Sequence, residues 1–197
     1  MASPILPQIQ STLLKDVLQC RHEWKERLDQ LRENRLPALC NFRSWGSDFN
    51  HGQSWKVSPV IISNRCSQIF HGMDPDLINL SSLVLKEVYP VTYRTLDYWI
   101  SSNLINYIAY SSLPPGAVLK AHKHHNMGCA KIHVALEKAN SCGLMYFESQ
   151  IGGKRRRIIH QWSHEGQYCV FDDNLLHSAW NKSGDERVIV VIDFRLF

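Results

Sequence analysis

The 197-residue sequence lacks most features that would place it outside ordinary soluble domains. Its six cysteines form no CxxC pair, which leaves zinc-ribbon and thioredoxin-like sites without support. No apolar run approaches the roughly 20 residues needed to span a bilayer. The opening MASPILPQIQ lacks the basic and continuously apolar regions of a secretory signal. These absences predict a reduced, soluble, cytoplasmic protein with no membrane association.

The chain also lacks a large excess of either positive or negative charge. Charged residues make up 20% of the chain, and the net charge is +4 with histidine neutral. A mildly basic balance helps to attract a small anion but falls short of the basic footprint of a nucleic-acid-binding domain. The one dense basic run, residues 154–157, follows two glycines and is typical of a solvated hairpin tip. We therefore expect no nucleic-acid partner.

Hydrophobic periodicity divides the chain into a helical first half and a β-rich second half. Apolar residues spaced by three or four share one helical face between residues 8 and 33. They are Leu13, Val17, Cys20, Trp24, Leu28 and Leu31. A second helix is predicted to begin at Asp74 and Pro75, with Leu77, Leu80, Val84 and Val88 on its core face. A short strand is predicted over Val57–Ile62.

After residue 103, about seven short strand-like pieces are separated by turns rich in glycine and proline, with no long helix between them. This pattern indicates an antiparallel sandwich or barrel. The sequence therefore predicts an α+β protein of one domain, residues 1–197. Helical support is expected over about residues 1–102 and a barrel over about residues 103–197.

Histidine spacing draws attention to residues 115–187. His122 comes after a Pro-Gly turn and a strand-like piece, and His177 follows another such piece 55 residues later. Non-haem iron sites use two histidines on rigid elements, typically with a carboxylate, and leave coordination positions open. The usual carboxylate position, two residues after the first histidine, is His124 here. From the residues alone, either water replaces the carboxylate or His124 completes a three-histidine site.

Several spaced features lie between about Ser111 and Phe194. In chain order they are Ser111, the Pro115-Gly116 turn, His122, His133, Trp162, Glu165-Gly166, Phe171-Asp172-Asp173, His177, Arg187 and Asp193-Phe194. Together they resemble the aspartyl/asparaginyl β-hydroxylase family of iron- and 2-oxoglutarate-dependent oxygenases. The N-terminal half shows no feature of this family. The resemblance implies a double-stranded β-helix, a jelly-roll or cupin-like barrel, with the N-terminal helices packed on its outside.

The resemblance also implies the main site residues. His122 and His177 would bind Fe(II). Arg187 would pair with the distal carboxylate of 2-oxoglutarate, a role that suits its planar fork, and Ser111 would contact the same carboxylate. Asp173 would lie behind His177 and orient it. The family lacks the usual carboxylate ligand, so the missing acid after His122 fits the family.

Further residues concern the cosubstrate and the substrate. His133 and Lys131 are expected near the cosubstrate, and Trp180 and His124 are candidate substrate contacts. The family commonly has arginines at the positions of Cys129 and Lys131, so this chain departs from the pattern there. Lys131 keeps a positive charge for an anionic group but loses the bidentate geometry of arginine.

The implied reaction oxidises an unactivated C–H bond of a small molecule, an amino acid or a peptide. Dioxygen and 2-oxoglutarate are consumed, and succinate and CO2 are released. Two alternatives remain: a three-histidine iron dioxygenase that does not use 2-oxoglutarate, and a non-catalytic barrel that binds a metal or a ligand. Ser111 and Arg187 argue against the three-histidine dioxygenase, because that chemistry needs no clamp for a dicarboxylate. Arg187 at its expected spacing argues against the non-catalytic barrel.

Overall fold

Backbone contacts divide the chain into two units. The computed structural model describes residues 5–44, 55–62, 83–123, 129–138, 140–150 and 153–195. One unit is drawn from Met1–Asn41 and Pro59–Ile108, and the other from Phe42–Ser58 and Ala109–Leu196. The organisation of the chain as a single domain stays a prediction. No described helix is long and apolar enough to cross a membrane.

Helices α1 (Ile5–Gln19) and α2 (Arg21–Arg32) begin the first unit. The six apolar residues that share the predicted helical face are all buried, which confirms that prediction. The predicted single helix is interrupted at Cys20. There the backbone N–H bonds to Val17 O, three residues back, as in a tighter 3-10 turn.

The remaining described helices of this unit are short. Residues 83–88 are helical, and α3 (Pro90–Thr95) and α4 (Asp97–Ser101) follow. The buried carboxylate of Glu23 accepts hydrogen bonds from the backbone N–H groups of Val91 and Thr92, each at 2.8 Å. A side chain of α2 therefore satisfies the first N–H groups of α3, as an N-cap residue would.

The predicted second helix can be compared only from residue 83, since its predicted start at Asp74 lies outside the described residues. Leu85 and Tyr89 are fully buried, whereas Val84 and Val88 are half-buried. Over the described part of this helix the predicted core face was therefore wrong by one position, while the predicted core residues Leu77 and Leu80 lie outside the described residues. Residues four apart lie on the same side of a helix, and the buried side of this helix contains Leu85 and Tyr89.

In the described part of the chain, ten strands form two antiparallel sheets. They are β1 (Arg43–Ser44), β2 (Lys56–Ile62), β3 (Ile105–Leu113), β4 (Val118–His122), β5 (Cys129–Ala135), β6 (Cys142–Ser149), β7 (Arg155–Gln161), β8 (Tyr168–Asp172), β9 (His177–Asn181) and β10 (Arg187–Arg195). The larger sheet has the order β1-β2-β3-β10-β5-β8, and the smaller has the order β4-β9-β6-β7.

The order of the last eight strands defines the fold. Numbered from β3 onward, the first, eighth, third and sixth strands are neighbours in the larger sheet. The second, seventh, fourth and fifth make up the smaller sheet. This alternation between two facing antiparallel sheets is the double-stranded β-helix or jelly roll. The predicted fold class, α+β with an antiparallel jelly roll in the C-terminal half, is confirmed.

One local prediction is confirmed, one is confirmed only in part, and one strand was missed. The strand predicted over Val57–Ile62 is β2, and the basic run of residues 154–157 is exposed beside a turn at Gly153, which has φ of +76°. Arg155–Arg157 belong to β7 itself. The missed strand is β9, whose sequence HSAWN has too few apolar residues to give a period-two signal.

Candidate iron and cosubstrate site

Two histidines meet where β4 and β9 pair. His122 is the last residue of β4 and His177 the first of β9, and the two are Cα partners across the antiparallel pair. Their ring centroids lie 4.3 Å apart. The structure therefore brings together the two predicted iron ligands, which are distant in sequence.

Backbone carbonyl groups orient both imidazoles. Nδ1 of His122 lies 2.7 Å from Lys120 O, and Nδ1 of His177 lies 2.9 Å from Leu175 O. A carbonyl oxygen can only accept a hydrogen bond, so Nδ1 carries a proton in each ring. In the neutral ring Nε2 then carries the lone pair. Metal-binding histidines are typically held in this way, so both side chains fit metal coordination through Nε2.

A buried carboxylate lies beside the second histidine. Asp173 Oδ1 is 3.3 Å from His177 Nε2, and the Asp173 side chain is almost fully buried. A nitrogen lone pair and a carboxylate oxygen repel at this distance unless a proton or a metal cation accompanies them. This donor set therefore fits a cation. Among the described residues no group of three His, Cys, Asp or Glu side chains has metal-site geometry, and His124 lies outside them.

The larger sheet contributes a second set of side chains through the two-residue period of its strands. Four predicted or newly found residues lie on one face: Lys131 and His133 of β5, and Arg187 and Asp193 of β10. Phe171 of β8 is opposite Lys131 on the same face, and its ring lies 5.2 Å from that of His177. This face of the larger sheet is therefore turned toward the histidine pair.

Arg187 is the most buried cation of the second unit among the described residues. Only 2% of it is exposed, and this burial lowers the pKa of its guanidinium from 12.5 to about 10. Within the described part of the chain, its Nε and Nη1 have no hydrogen-bond partner. Buried donors of a charged group are costly unless they are paired, and a guanidinium fork matches a carboxylate. Arg187 therefore fits the predicted carboxylate clamp.

Ser111 is a buried residue of β3 and has a partner that the sequence did not indicate. Trp55 Nε1 donates a hydrogen bond of 2.9 Å to Ser111 Oγ. Because this bond uses a lone pair of the hydroxyl oxygen, the hydroxyl proton can still be donated to an anion. The residues that precede Trp55, 45–54, lie outside the described range.

His133 is buried among aromatic rings. It stacks with Trp162 at a centroid distance of 6.3 Å and meets the Phe171 ring edge-on at 5.0 Å. Burial, and then the positive charge of Arg187, hold the pKa of His133 well below its usual 6.5. Among the described residues its Nδ1 has no hydrogen-bond partner. The imidazole is therefore neutral at pH 7 and has a polar nitrogen available for a ligand.

This lowered pKa predicts a pH-dependent contribution to stability. The unfolded chain binds a proton at this histidine below pH 6.5 and the folded chain does not, so stability falls as the pH decreases through 6.5. Between pH 6.5 and 5.5 the wild type should lose about 1 kcal/mol more unfolding free energy than His133→Asn. Urea unfolding at both pH values measures this difference. The exposed His164→Asn serves as the control, and equal losses in wild type and His133→Asn would contradict the assignment.

Lys131 lies between two buried carboxylates. Its Nζ is 2.7 Å from Asp193 Oδ2 and 3.0 Å from Asp173 Oδ2. The family resemblance included Asp193 but gave it no role in the site. The even spacing of six residues between Arg187 and Asp193 would have placed the carboxylate on the site face.

The structure does not bring Trp180 to the histidine pair. Along β9 the residues His177, Ala179 and Asn181 are buried, whereas Trp180 is half-buried on the alternate face. Its ring covers Gly143 of β6, where an added Cβ would lie 2.3 Å from Trp180 Cζ2. Trp180 thus packs on the outer face of the smaller sheet. The candidate contact His124 lies outside the described residues.

The contact of Trp180 with Gly143 predicts a cost for any side chain at that glycine. Gly143→Ala should lower the unfolding free energy by about 1–3 kcal/mol, because the methyl group must displace the Trp180 ring or the nearby His160 carbonyl. Gly184, where an added Cβ meets nothing within 4 Å, supplies the control Gly184→Ala. Denaturant unfolding measures both. Equal stability of Gly143→Ala and wild type would show that Trp180 does not pack there.

Comparisons with known proteins agree with the sequence features. The sequence profile of the aspartyl/asparaginyl β-hydroxylase family matches residues 79–196, more than half of the chain and beginning within its first half. Two relatives, aspartate beta-hydroxylase domain-containing protein 2 of Mus musculus and of Homo sapiens, are each 27% identical in an alignment of 184 residues that covers 88% of this chain. The aligned region is 49% and 45% of these relatives, so the chain spans about half their length.

Solved structures show weaker likenesses. A Pseudomonas putida prolyl-4-hydroxylase is 13% identical, with 92% of this chain and 88% of that chain covered and a TM-score of 0.47. A predicted oxalate decarboxylase from Thermotoga maritima is 17% identical, with 79% and 92% covered and a TM-score of 0.42. The fold assignment rests on the strand order, and the family assignment on the profile. On that match, the chain belongs to the aspartyl/asparaginyl β-hydroxylase family.

Proposed function

We propose that this chain is an Fe(II)- and 2-oxoglutarate-dependent oxygenase that hydroxylates, or otherwise oxidises, an unactivated C–H bond. Its substrate class is a small molecule, an amino acid or a peptide. One observation carries the proposal. The jelly roll holds a carbonyl-oriented histidine pair together with a buried arginine, and two donors of that arginine lack partners among the described residues. Membership in a hydroxylase family supports the same class of reaction.

The metal and cosubstrate would supply the oxidative chemistry: 2-oxoglutarate and O2 are converted to succinate and CO2 as one oxygen atom enters the substrate C–H bond. His122 and His177 would hold the metal through Nε2. The hydrogen bonds from their Nδ1 atoms to Lys120 O and Leu175 O keep each ring in place. The chain contributes ligand geometry that is fixed by backbone atoms.

The buried polar residues of the larger sheet would bind and orient the cosubstrate. Arg187 would donate two hydrogen bonds to the distal carboxylate, and the Ser111 hydroxyl would add a third. His133, neutral because of its lowered pKa, adds no positive charge and can donate or accept one hydrogen bond. The rings of Phe171 and Tyr146, 5.3 Å apart, would help exclude water from the centre of the barrel.

Succinate formation tests this function. The protein is loaded with Fe(II) without oxygen and then mixed with 2-oxoglutarate and O2, and succinate is measured over time. We expect slow succinate formation without substrate and a faster rate when a substrate is present. The variant His122→Ala, which lacks a proposed iron ligand, should form none above the rate of free Fe(II). Absence of succinate from the wild type, together with absence of 2-oxoglutarate binding, would refute the proposal.

A further inference from the structure

A buried lysine joins two buried carboxylates beside the histidine pair. Lys131 Nζ contacts Asp193 Oδ2 at 2.7 Å and Asp173 Oδ2 at 3.0 Å. The second oxygen of Asp173, Oδ1, lies 3.3 Å from His177 Nε2. At most 8% of any of these four residues is exposed. A continuous set of polar contacts therefore runs from β10 through β5 to His177.

The two ends of this set differ in how firmly the backbone holds them. Asp193 and Lys131 are directly opposite each other in the antiparallel pair of β10 and β5, so strand pairing fixes both residues. Asp173 follows the last residue of β8 and is not part of a strand. Its carboxylate therefore depends more on side-chain contacts for its orientation, and the 3.0 Å contact of Oδ2 with Lys131 Nζ is one such contact.

The length of β10 separates Lys131 from Arg187, the residue predicted to bind the distal carboxylate of the cosubstrate. Arg187 and Asp193 are six residues apart in β10, which places their Cα atoms roughly 20 Å apart in an extended strand. Lys131 Nζ donates a hydrogen bond to Asp193, at the far end of β10 from Arg187. Lys131 and Arg187 are therefore too far apart to contact the same carboxylate, and a role for Lys131 in binding the distal carboxylate of the cosubstrate does not fit this geometry.

We propose that Lys131, fixed by Asp193, is a positioning residue that keeps the Asp173 carboxylate turned toward His177 Nε2. The inference rests on the proposed function, because a metal ion at His177 is the group that this carboxylate would face. One ammonium nitrogen contacts both carboxylates here, and a buried carboxylate is stable as an anion only when a cation compensates it. Lys131 thus acts on the metal site through Asp173.

The first test needs no metal. Crystal structures of metal-free wild type and Lys131→Met are compared, and the distance from Asp173 Oδ1 to His177 Nε2 is measured. We expect this distance to increase from 3.3 Å to beyond the roughly 4 Å limit of an ion pair. The double variant Lys131→Met, Asp193→Asn removes one charge of each sign, so Asp193 is not left as an unpaired buried charge. It repeats the test in case the single variant does not fold. An unchanged distance in these variants would overturn the proposal.

The second test uses Co(II) as a spectroscopic probe of the metal site. Lys131→Met should bind Co(II) about 10–100-fold more weakly and with an altered visible spectrum, as expected when an outer contact of a metal ligand is lost. Lys131→Arg, which keeps the charge, should restore the wild-type spectrum. The 2-oxoglutarate affinity of the Co(II)-loaded proteins should differ by less than about twofold, because Arg187 is distant.

The outcomes separate the two proposals. Weaker 2-oxoglutarate binding by Lys131→Met with an unchanged Co(II) spectrum would show that Lys131 binds the anion, which overturns the positioning role. A wild type that binds no Co(II) would refute the proposed function. The metal-free distance between Asp173 and His177 would still decide the positioning role in that case.

Discussion

Arg187→Met is expected to weaken 2-oxoglutarate binding by about 30- to 4,000-fold while Fe(II) affinity changes little. Removing one partner of a buried, hydrogen-bonded charge pair costs about 2–5 kcal/mol, and every 1.4 kcal/mol is a factor of ten. Arg187 lies at the start of β10, on a different strand from both histidines, so the metal ligands should remain in place. Titration calorimetry under anaerobic conditions measures both affinities.

The same substitution should leave the ligand-free protein at least as stable as the wild type. Burial lowers the pKa of Arg187 from 12.5 to about 10, which corresponds to roughly 3 kcal/mol of unfavourable charge burial. This cost applies at neutral pH, where the group is charged in both states, and decreases only as the pH rises through 10. Methionine removes the buried charge and keeps most of the volume.

Thermal unfolding with and without 2-oxoglutarate distinguishes these effects. A ligand that binds only the folded state raises its stability by mass action, so the wild type should be stabilised by 2-oxoglutarate and Arg187→Met should not. Lys154→Met, which removes an exposed lysine of the same unit, is the matched control and should behave as the wild type. A variant that retains wild-type 2-oxoglutarate affinity would show that Arg187 is not the clamp.

His177→Ala is the substitution with the second large expected effect. We expect Fe(II) or Co(II) affinity to fall by more than about 100-fold, because the loss of a metal ligand should exceed the 10–100-fold effect of losing an outer contact. His177 is one of only two described histidines at the β4–β9 pairing, and its Nδ1 bond to Leu175 O prepares Nε2 for a metal. Metal titration with visible absorption measures the change.

A control separates the role of this histidine from general histidine chelation. His164 is exposed and makes a contact of 3.0 Å with the neighbouring Ser163 hydroxyl, so His164→Ala should bind metal as the wild type does. Equal metal affinity in His177→Ala and His164→Ala would contradict the proposed ligand pair. His122→Ala should reproduce the loss seen in His177→Ala if the two imidazoles bind one metal ion.

Periodicity predicted the elements whose side chains alternate clearly between core and solvent. The face from Leu13 to Leu31 was readable because each apolar residue lies three or four positions from the next. The strand β9 was missed because its five residues include polar side chains that serve the site and the neighbouring loops. Asn181, for example, donates from its buried amide to Leu113 O and Asp185 O. A functional strand can therefore lack the apolar pattern on which prediction depends.

The sequence could indicate those residues of the candidate site that are marked by residue type and spacing. It could not indicate the contacts that depend on strand pairing. Histidines and an arginine at family spacing indicated His122, His177 and Arg187. The register that places Lys131 opposite Asp193 joins residues 62 positions apart and cannot be read from local sequence. The position of Trp180 on the outer face likewise follows from strand phase, which a missed strand could not supply.

The central claim is that one barrel binds iron and 2-oxoglutarate together at the histidine pair and Arg187. Visible absorption of the anaerobic Fe(II)-loaded protein during addition of 2-oxoglutarate tests it most directly, because a charge-transfer band appears only when the two are in contact. We predict such a band for the wild type, none for His177→Ala, and a shift to much higher 2-oxoglutarate concentration for Arg187→Met. A wild type that binds Fe(II) yet shows no band at saturating 2-oxoglutarate would contradict the claim.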